Sequence, residues 1–309
     1  MNDKSSFHAG ERAVQASAGE TAIADRNIAV LSDTVIAGAR PFIAKQSMVV
    51  LASRDDEGAV WASAVFGKPG FLQAGDGHAI AIDVPARERD PADPVWDNIA
   101  AGRELGMLFI ELGSRRRYRV NGSVSRYDSQ GVEVAIREAY PNCPKYIQRR
   151  HLRQLGETSL PAQAAQGTQL RGAAERIVRQ ADTVFVASRH PESGADASHR
   201  GGNPGFVRLV NDTTLRIPDY HGNSLFNTFG NFEVDARAGL CIPDFAAGQA
   251  LQLTGTARVL WDQDDPSGET GGTRRYWEFQ VARWILRDLP QRMEWEYLDA
   301  SPFNPAVAA

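Results

Sequence analysis

One short segment in the second half of the chain carries the residue types that bind an anion such as a phosphate group. His199 and Arg200 supply an imidazole and a guanidinium, and Gly201 and Gly202 follow with open backbone amides. An arginine presents two parallel donors to phosphate oxygens, whereas a lysine presents a point charge. We therefore treat this segment as the first part of a candidate anion site.

Neutral hydrogen-bond donors follow in the same half. Asn223, Asn227 and Thr228 lie in the loop before the next apolar segment. If a helix begins near Ser224 or Phe226, its first backbone N–H groups also face the anion, because these amides have no partner within a helix. This loop is the second part of the candidate site.

Each of these residues also has a purely structural interpretation. The sequence Gly-Gly-Asn-Pro-Gly is a turn in any fold, and a single arginine such as Arg200 usually lies on the surface. Asn227 and Asn231 are residue types that begin and end helices. Asp219 is either a turn residue or an acceptor for a ligand. Taken singly, the structural interpretation is preferred; taken together, the anion site is preferred.

Other chemistry has less support. Lys145 and Tyr146 could reach a ligand from the other half of the chain, or they could be a helix-ending lysine and a packing tyrosine. Trp261 and Trp277 could cover a ring system, although core packing is the default for such residues. The six histidines are scattered and the two cysteines have no metal-like spacing, so no metal site is expected.

The elements that must position these residues occur twice. Leu51-Ala52-Ser53-Arg54 corresponds to Val186-Ala187-Ser188-Arg189, and Gly67-Lys68-Pro69-Gly70-Phe71 corresponds to Gly202-Asn203-Pro204-Gly205-Phe206. Both pairs are offset by 135 positions (51 to 186, 67 to 202), and the offset becomes 133 where Asn98 matches Asn231. One fold used twice is the simplest explanation.

The two copies differ at the candidate site. Ser198-His199-Arg200 aligns with Ser63-Ala64-Val65, which has no cation. The stretch from residue 223 to 228 aligns with one that contains Asp90 and Asp93, and their charge repels a phosphate. The sequence therefore predicts one anion site per chain, in the second copy.

Short apolar segments separated by Gly, Asp and Asn turns predict antiparallel strands in both copies. The apolar spacing from Leu170 to Ala181 predicts a helix before the second set of strands. A helix is also expected around Ile28–Ala44, ended or kinked by Pro41, after a loosely ordered lead-in over residues 1–20. Val132, Ile136 and their neighbours suggest another helix.

Together these segments define a domain organisation. Residues 1–128 form the first domain, residues 129–167 contain a helix and a linker at 160–168, and residues 168–309 form the second domain with the anion site.

Several motifs, taken as a set, resemble the pyridoxamine 5′-phosphate oxidase-related, FMN-binding split-barrel family, in a subgroup with two copies per chain. The resemblance covers nearly the whole chain. The motifs are Phe7–Gln15, Pro141–Ile147, Ser198–Phe206, Pro218–Asn223, Phe226–Asn231 and Ser301–Pro305.

The resemblance implies a fold and a cofactor. The fold is mainly β with flanking helices (α+β), with two tandem six-stranded antiparallel split β-barrels forming an intramolecular pseudo-dimer. FMN would lie at the interface between the barrels. Asn227 and Thr228 stand at about the place where the oxidase carries a basic pair, so the phosphate would depend more on His199 and Arg200.

The resemblance also implies a function. It suggests an FMN-dependent oxidoreductase that passes electrons from a reduced nicotinamide or a partner reductase to a small-molecule substrate. A non-catalytic flavin-binding or sensor protein, a deazaflavin protein and a heme-binding protein remain alternatives. No catalytic residue is assigned. The residues expected to bind the cofactor are Lys145, Tyr146, Ser198, His199, Arg200, Arg208, Asp219, Asn223, Asn227 and Thr228.

Composition excludes some partners. The 34 basic and 38 acidic residues give a net charge of −4, so neither a nucleic acid nor a membrane surface is an expected partner. The first residues form no apolar signal segment, and no run of eighteen apolar residues occurs. We therefore expect a cytoplasmic protein, and a homodimer remains open.

Overall fold

The computed structural model describes residues 7–100, 102–160 and 164–307. It is mostly antiparallel β-structure with few helices, as predicted. The helices are α1 (Ala9–Ser17), α2 (Thr21–Asn27), α3 (Arg40–Ala44), α4 (Pro94–Asn98), α5 (Ala173–Gln180) and α6 (Asn227–Val234). The strands of the first half are β1 (Met48–Arg54), β2 (Val60–Phe66), β3 (Leu72–Gln73), β4 (Ala79–Ile82), β5 (Glu104–Glu111), β6 (Arg116–Tyr127), β7 (Val132–Asn142) and β8 (Arg149–Thr158). Those of the second half are β9 (Ala164–Gly167), β10 (Thr183–His190), β11 (Gly194–Gly201), β12 (Arg208–Asn211), β13 (Thr214–Pro218), β14 (Arg237–Asp244), β15 (Gln249–Leu260), β16 (Tyr276–Asp288) and β17 (Gln291–Asp299).

The two halves have the same strand order. The first sheet runs β2-β1-β5-β6-β7-β4-β3, and the second runs β11-β10-β14-β15-β16-β13-β12. Each of the seven strands in the first order thus has a counterpart in the second. The remaining counterparts, β8 and β17, pair with each other as a separate two-stranded sheet. The repeat seen in the sequence is therefore a repeat of topology.

The number of strands exceeds the expected six in each half. The first sheet has seven strands and the second has eight. The short pieces β3 and β12 lie at sheet edges, and β9 adds to β16 in the second half.

The strands that face the other half are buried on both sides, which explains their unbroken apolar sequences. In β1, Val49 and Leu51 pack into the core of the first half, whereas Val50 packs against the second half. In β10, Val184 packs into the core of its own half and Phe185 packs into the shared core. Each half therefore has a core of its own, and a further core, to which Val50 and Phe185 belong, joins the halves.

Two glycines at corresponding positions allow this close contact. A Cβ at Gly106 in β5 would lie 2.7 Å from the backbone of Asp196, and a Cβ at Gly239 in β14 would lie 2.7 Å from the Cα atom of Trp61. Real Cβ atoms do not approach backbone so closely, because the atoms would overlap. Glycine at both positions therefore lets each half approach the other in the same way.

The prediction of a helix within residues 129–167 is wrong. These residues form β7, β8 and β9. Val132 and Val134 are buried and share one face of β7, which is the alternation of a strand. Within the predicted linker 160–168, residues 164–167 pair with β16, whereas residues 161–163 lie outside the described residues.

Two further expectations near the N-terminus need correction. Residues 9–17 of the predicted lead-in form α1, which begins with a capping box between His8 and Glu11; residues 1–6 lie outside the described residues. The stretch Ile28–Ala44 contains only short 3-10 turns and α3. Pro41 lies in the first turn of α3 rather than ending a helix, because the first turn needs no amide donor there.

The helix predicted before the second set of strands is present as α5. No helix in the described part of the chain is long and apolar enough to cross a membrane.

Candidate functional site

Most of the predicted site residues meet in one cleft between the two halves. Arg117 and Arg119 of β6 line one side, and β11, the loop after β13 and the start of α6 line the other. The predicted residues that line this cleft are Lys145, Tyr146, His199, Arg200, Asp219, Asn223, Asn227 and Thr228.

The two remaining predicted residues lie elsewhere. Ser198 is buried beneath the cleft, and its hydroxyl is 3.0 Å from the hydroxyl of Thr228. Arg208 lies on the edge strand β12 and is paired with Glu269, so its charge is used outside the cleft. Ser198 therefore supports the site from below, and Arg208 does not line it.

Sequence reasoning missed the cations of the first half. Arg117 and Arg119 are two residues apart on β6 and therefore project from the same face of the strand. The signal was present, since the sequence Arg-Arg-Arg-Tyr-Arg at residues 115–119 places alternate arginines on one face.

Arg117 is held in the cleft by neutral partners. Its Nε atom donates to the Cys143 carbonyl oxygen at 2.8 Å, and its Nη1 atom lies 3.2 Å from Nδ1 of His199. Among the described residues it has no carboxylate within ion-pair distance. Burial, with the nearby charges of Arg119 and Arg200, lowers the pKa of Arg117 to about 9. An anion in the cleft would relieve this repulsion.

His199 lines the cavity as a neutral imidazole. Burial, together with the charges of Arg117 and Arg200, holds its pKa well below the ordinary value. Nδ1 accepts a hydrogen bond from the Arg117 guanidinium, so the proton of the neutral imidazole ring is on Nε2. Nε2 has no hydrogen-bond partner, and His199 is only 3% exposed. A buried donor without a partner is costly, and a ligand oxygen would satisfy it.

Arg200 supplies the second free guanidinium. Its Nη1 atom donates to the His199 carbonyl oxygen at 3.2 Å, its Nε atom has no partner, and its guanidinium lies 5.5 Å from the ring centre of Phe229. Burial lowers the pKa of Arg200, and Asp219 opposes that change. No carboxylate in the described part of the chain lies within ion-pair distance of Arg200, so its charge remains available to a ligand.

Arg119, in contrast, is neutralised within the protein. It pairs with Asp196 at 3.1 Å and donates to the Tyr140 hydroxyl at 2.8 Å. Burial opposes its charge, but Asp196 raises the pKa of Arg119 above the ordinary value. Arg119 therefore adds less attraction for an anion than Arg117 does.

The helix α6 begins at the cleft, as expected for the loop near Phe226. Phe226 is in the left-handed region at φ 61°, and no side chain caps the helix. Three residues of this first turn, Asn227, Thr228 and Phe229, line the cleft. The first amides of a helix have no partner within the helix, so these amides are candidate donors to an anion.

The predicted polar side chains of this loop are used structurally. The Asn227 amide donates to Glu11 at 2.7 Å, and Asn223 accepts from the Leu225 amide at 3.2 Å. The Gly202 amide, expected to be open, donates to the Asp182 carbonyl oxygen at 3.2 Å. The site therefore depends on guanidinium and backbone donors more than on asparagine side chains.

Asp219 is paired with Arg275 and anchors the loop after β13. Its carboxylate accepts from Nε of Arg275 at 3.0 Å, and Arg275 also pairs with Glu20 at 3.2 Å. Burial raises the pKa of Asp219, and Arg275 and Arg200 oppose that change. The acid thus fixes the loop that carries Tyr220.

Two tyrosines lie at the cleft. The rings of Tyr146 and Tyr220 are 4.7 Å apart, and the Tyr146 hydroxyl donates to the His221 carbonyl oxygen at 3.0 Å. Tyr146 adopts φ 68°, and its amide donates to the Ser301 hydroxyl at 3.0 Å. The C-terminal segment therefore holds the segment Pro141–Ile147 against the cleft.

Lys145 lies beside the same C-terminal segment. Its ammonium is 5.4 Å from the ring centre of Phe303. No ion pair to Lys145 occurs among the residues that the structure covers, so this ammonium is the third unpaired cation of the cleft, after Arg117 and Arg200.

The cavity has a volume of about 100 Å³. Ligand pockets commonly measure about 300–1,000 Å³. The cavity therefore suits a phosphate group, and a larger ligand would extend from it past the tyrosines.

The corresponding cleft of the first half is closed. Arg287 of β16 pairs with Asp90 at 2.8 Å and with Asp93, and all three side chains are buried. Gln252, which stands where Arg119 stands in the other cleft, donates to the hydroxyl of Ser63 at 2.9 Å. An internal ion network thus fills the space that the other half leaves open.

Comparisons with known proteins add the following. No family model matches the chain, and no curated protein matches it. Solved structures do match. The structures that the chain resembles include pyridoxamine 5′-phosphate oxidase-like and FMN-binding proteins.

A candidate pyridoxamine 5′-phosphate oxidase from Lactobacillus delbrueckii is 11% identical, with 38% of this chain and 94% of that chain covered and a TM-score of 0.31. An FMN-binding, oxidase-related protein from Nostoc punctiforme is 12% identical, with coverage of 42% and 96% and a TM-score of 0.27. HutZ, described as the heme storage protein of Vibrio cholerae, is 11% identical, with coverage of 44% and 99% and a TM-score of 0.26.

Each of these structures covers less than half of this chain. No cluster of three His, Cys, Asp or Glu side chains suited to a metal occurs among the described residues.

Proposed function

We propose that the chain binds FMN through its phosphate in the cleft and acts as a flavin-dependent oxidoreductase. In this proposal the two sheets are tandem split barrels that pack as an intramolecular pseudo-dimer. The supporting observation is that Arg117, Arg200 and His199 line one small cavity, and that the Nε2 atom of His199 has no hydrogen-bond partner. Such a donor set fits a dianionic phosphate.

The chain's own residues have separate tasks in this proposal. Arg117 from the first half and Arg200 from the second hold the phosphate from opposite sides. Tyr146 and Tyr220 flank the path of the remaining ligand, and Lys145 places a cation near it, which favours a reduced anionic ring. The flavin supplies electron transfer when bound, with electrons from a reduced nicotinamide or a partner reductase passing to a small acceptor.

The phosphate can be tested directly by comparing FMN with riboflavin, which lacks it. Quenching of flavin fluorescence gives both dissociation constants. We expect FMN to bind at least about tenfold more tightly at low salt, and the difference to shrink as salt is raised, because screening weakens charge pairing. Equal affinities would contradict the proposal.

The oxidoreductase part needs a separate experiment. Under anaerobic conditions the FMN-loaded protein should be bleached by NADH or NADPH, and admission of air should restore the flavin spectrum. A protein that binds FMN but is reduced by neither donor, nor turns over with an added flavin reductase, would be a flavin-binding protein without this activity. A Soret band in the purified protein would favour heme instead.

A further inference from the structure

Cys143 lines the cleft, and the proposed function does not use its thiol. Cys143 follows β7 and is partly exposed, whereas Cys241 on β14 is fully buried in the core shared by the halves. Both are free cysteines. The chain therefore has one cysteine that is partly exposed at the cleft and one that is buried.

The surroundings of Cys143 are cationic. The guanidinium of Arg117 is tied to the Cys143 carbonyl oxygen at 2.8 Å, and Lys145 follows two residues later and lines the same cavity. Neither cation has a carboxylate partner among the described residues. Unpaired positive charge attracts anionic reagents to the thiol.

An independent feature shows that this cavity is built to receive a ligand. His199 lines it, is only 3% exposed, and keeps its Nε2 atom without a hydrogen-bond partner. Cys143 therefore lies beside the position that an anion would occupy. A group attached to its sulfur would compete with that anion for the same space.

Cys241 provides an internal control. Burial raises the pKa of the Cys241 thiol to about 12, and its side chain is fully buried. Since the thiolate is the nucleophile, a buried protonated thiol is inert.

We propose that Cys143 is a covalent modification site, where small anionic disulfides form a mixed disulfide that keeps anionic ligands out of the cleft. The Cys143 thiol loses its proton to solvent, and the thiolate attacks one sulfur of the reagent. A new S–S bond forms, the original S–S bond breaks, and the other half of the reagent leaves as a thiolate. Excess small thiol reverses the exchange. The regulatory consequence rests on the proposed flavin site, whereas the thiol reaction does not.

The probe is 5,5′-dithiobis(2-nitrobenzoate), an anionic disulfide that releases a coloured thiolate. We expect the native chain to release one equivalent rapidly and the second only after denaturation. Cys143→Ser should release none in the native state, and Cys241→Ala should still release one. Inorganic phosphate should slow the reaction. Raising salt from about 0.05 to 0.5 M should slow it several-fold, while neutral 2,2′-dithiodipyridine should react at an unchanged rate.

Two results would overturn the inference. One is release by native Cys143→Ser equal to that of the parent chain. The other is an anionic and a neutral disulfide that respond equally to salt. FMN binding is measured first on the unmodified chain, so a failure to bind FMN counts against the proposed function alone. A chain that binds FMN equally well after complete modification of Cys143 overturns the regulatory consequence alone.

Discussion

Arg287 donates to the carboxylate of Asp90 at 2.8 Å, and the two residues come from opposite halves of the chain. Asp90 corresponds to Asn223, which lines the open cleft. The same topological position is thus closed by an ion pair in one half and left open in the other. Both copies have the same strand order, while their charges close the cleft of one copy and leave the cleft of the other open.

We expect that breaking the ion network of the closed cleft lowers the free energy of unfolding substantially. Arg287→Met leaves Asp90 and Asp93 buried without their cation, and loss of one partner of a buried ion pair costs about 3–5 kcal/mol. Urea unfolding measures the change. The triple variant Arg287→Met, Asp90→Asn, Asp93→Asn should recover most of the loss. A cost below about 1 kcal/mol for the single variant would contradict the prediction.

The open cleft predicts an asymmetric response of FMN binding. Arg200→Ala should weaken FMN binding by about 1–3 kcal/mol, as expected for loss of a charge-assisted hydrogen bond. Val65→Ala, the matched change in the first copy, should leave the dissociation constant unchanged. Fluorescence titration reports both. Equal losses at the two positions would argue against a single site.

A third prediction concerns the contribution of the first half. Arg117→Ala should also weaken FMN binding by about 1–3 kcal/mol, while riboflavin binding changes little, because the lost contact is to the phosphate. Titration of a known chain concentration should give one FMN per chain. A stoichiometry of two, or an equal effect on riboflavin, would count against the shared phosphate site.

The helix α1 predicts a pH dependence of stability. Burial raises the pKa of Glu11 from 4.5 to about 8. The folded state then binds a proton that the unfolded state has released, so Glu11 makes stability fall as pH rises from 4.5 to 8, by up to about 1.4 kcal/mol per pH unit. Burial lowers the pKa of His8 to about 4, and its effect is confined below pH 6.5.

Urea unfolding at several pH values between 6.5 and 8.5 tests this prediction. Glu11→Gln should show a shallower decline than the parent chain over this window. The slope is the readout, because the absolute stability also reflects the hydrogen bonds of Glu11 to His8 and Asn227. Parallel declines in the two proteins would show that Glu11 is ionised in the folded state.

Much of the local structure could be predicted from the sequence, because turns and helices depend on residues that are close in the chain. The turns around Gly67–Phe71 and Gly202–Phe206 gave the repeat, and the apolar spacing from Leu170 to Ala181 gave α5. The error in residues 129–142 has a physical cause. Val132, Val134 and Ile136 alternate as in a strand. Ala135 and Ala139 are apolar too, and with them the apolar residues also fit the spacing of a helix.

The sequence predicted only part of the candidate site. His199 and Arg200 stand next to each other in the sequence, so their joint chemistry is visible there. Arg117 lies 82 residues before His199, and only the packing of the two halves brings its guanidinium to 3.2 Å from that imidazole. Arg208 was predicted to bind the cofactor but is paired with Glu269, and the sequence does not show that pairing either.

The sequence by itself determined that one unit is repeated, that its strands are antiparallel, and that only the second copy carries cations at the aligned positions. These properties follow from turn chemistry, apolar period and residue type, which are local. The tertiary structure decided which charges remain free. Arg287 and Arg119 are neutralised by acids from the opposite half, whereas Arg117 and Arg200 are not, because ion pairing depends on distances that only the packed halves define.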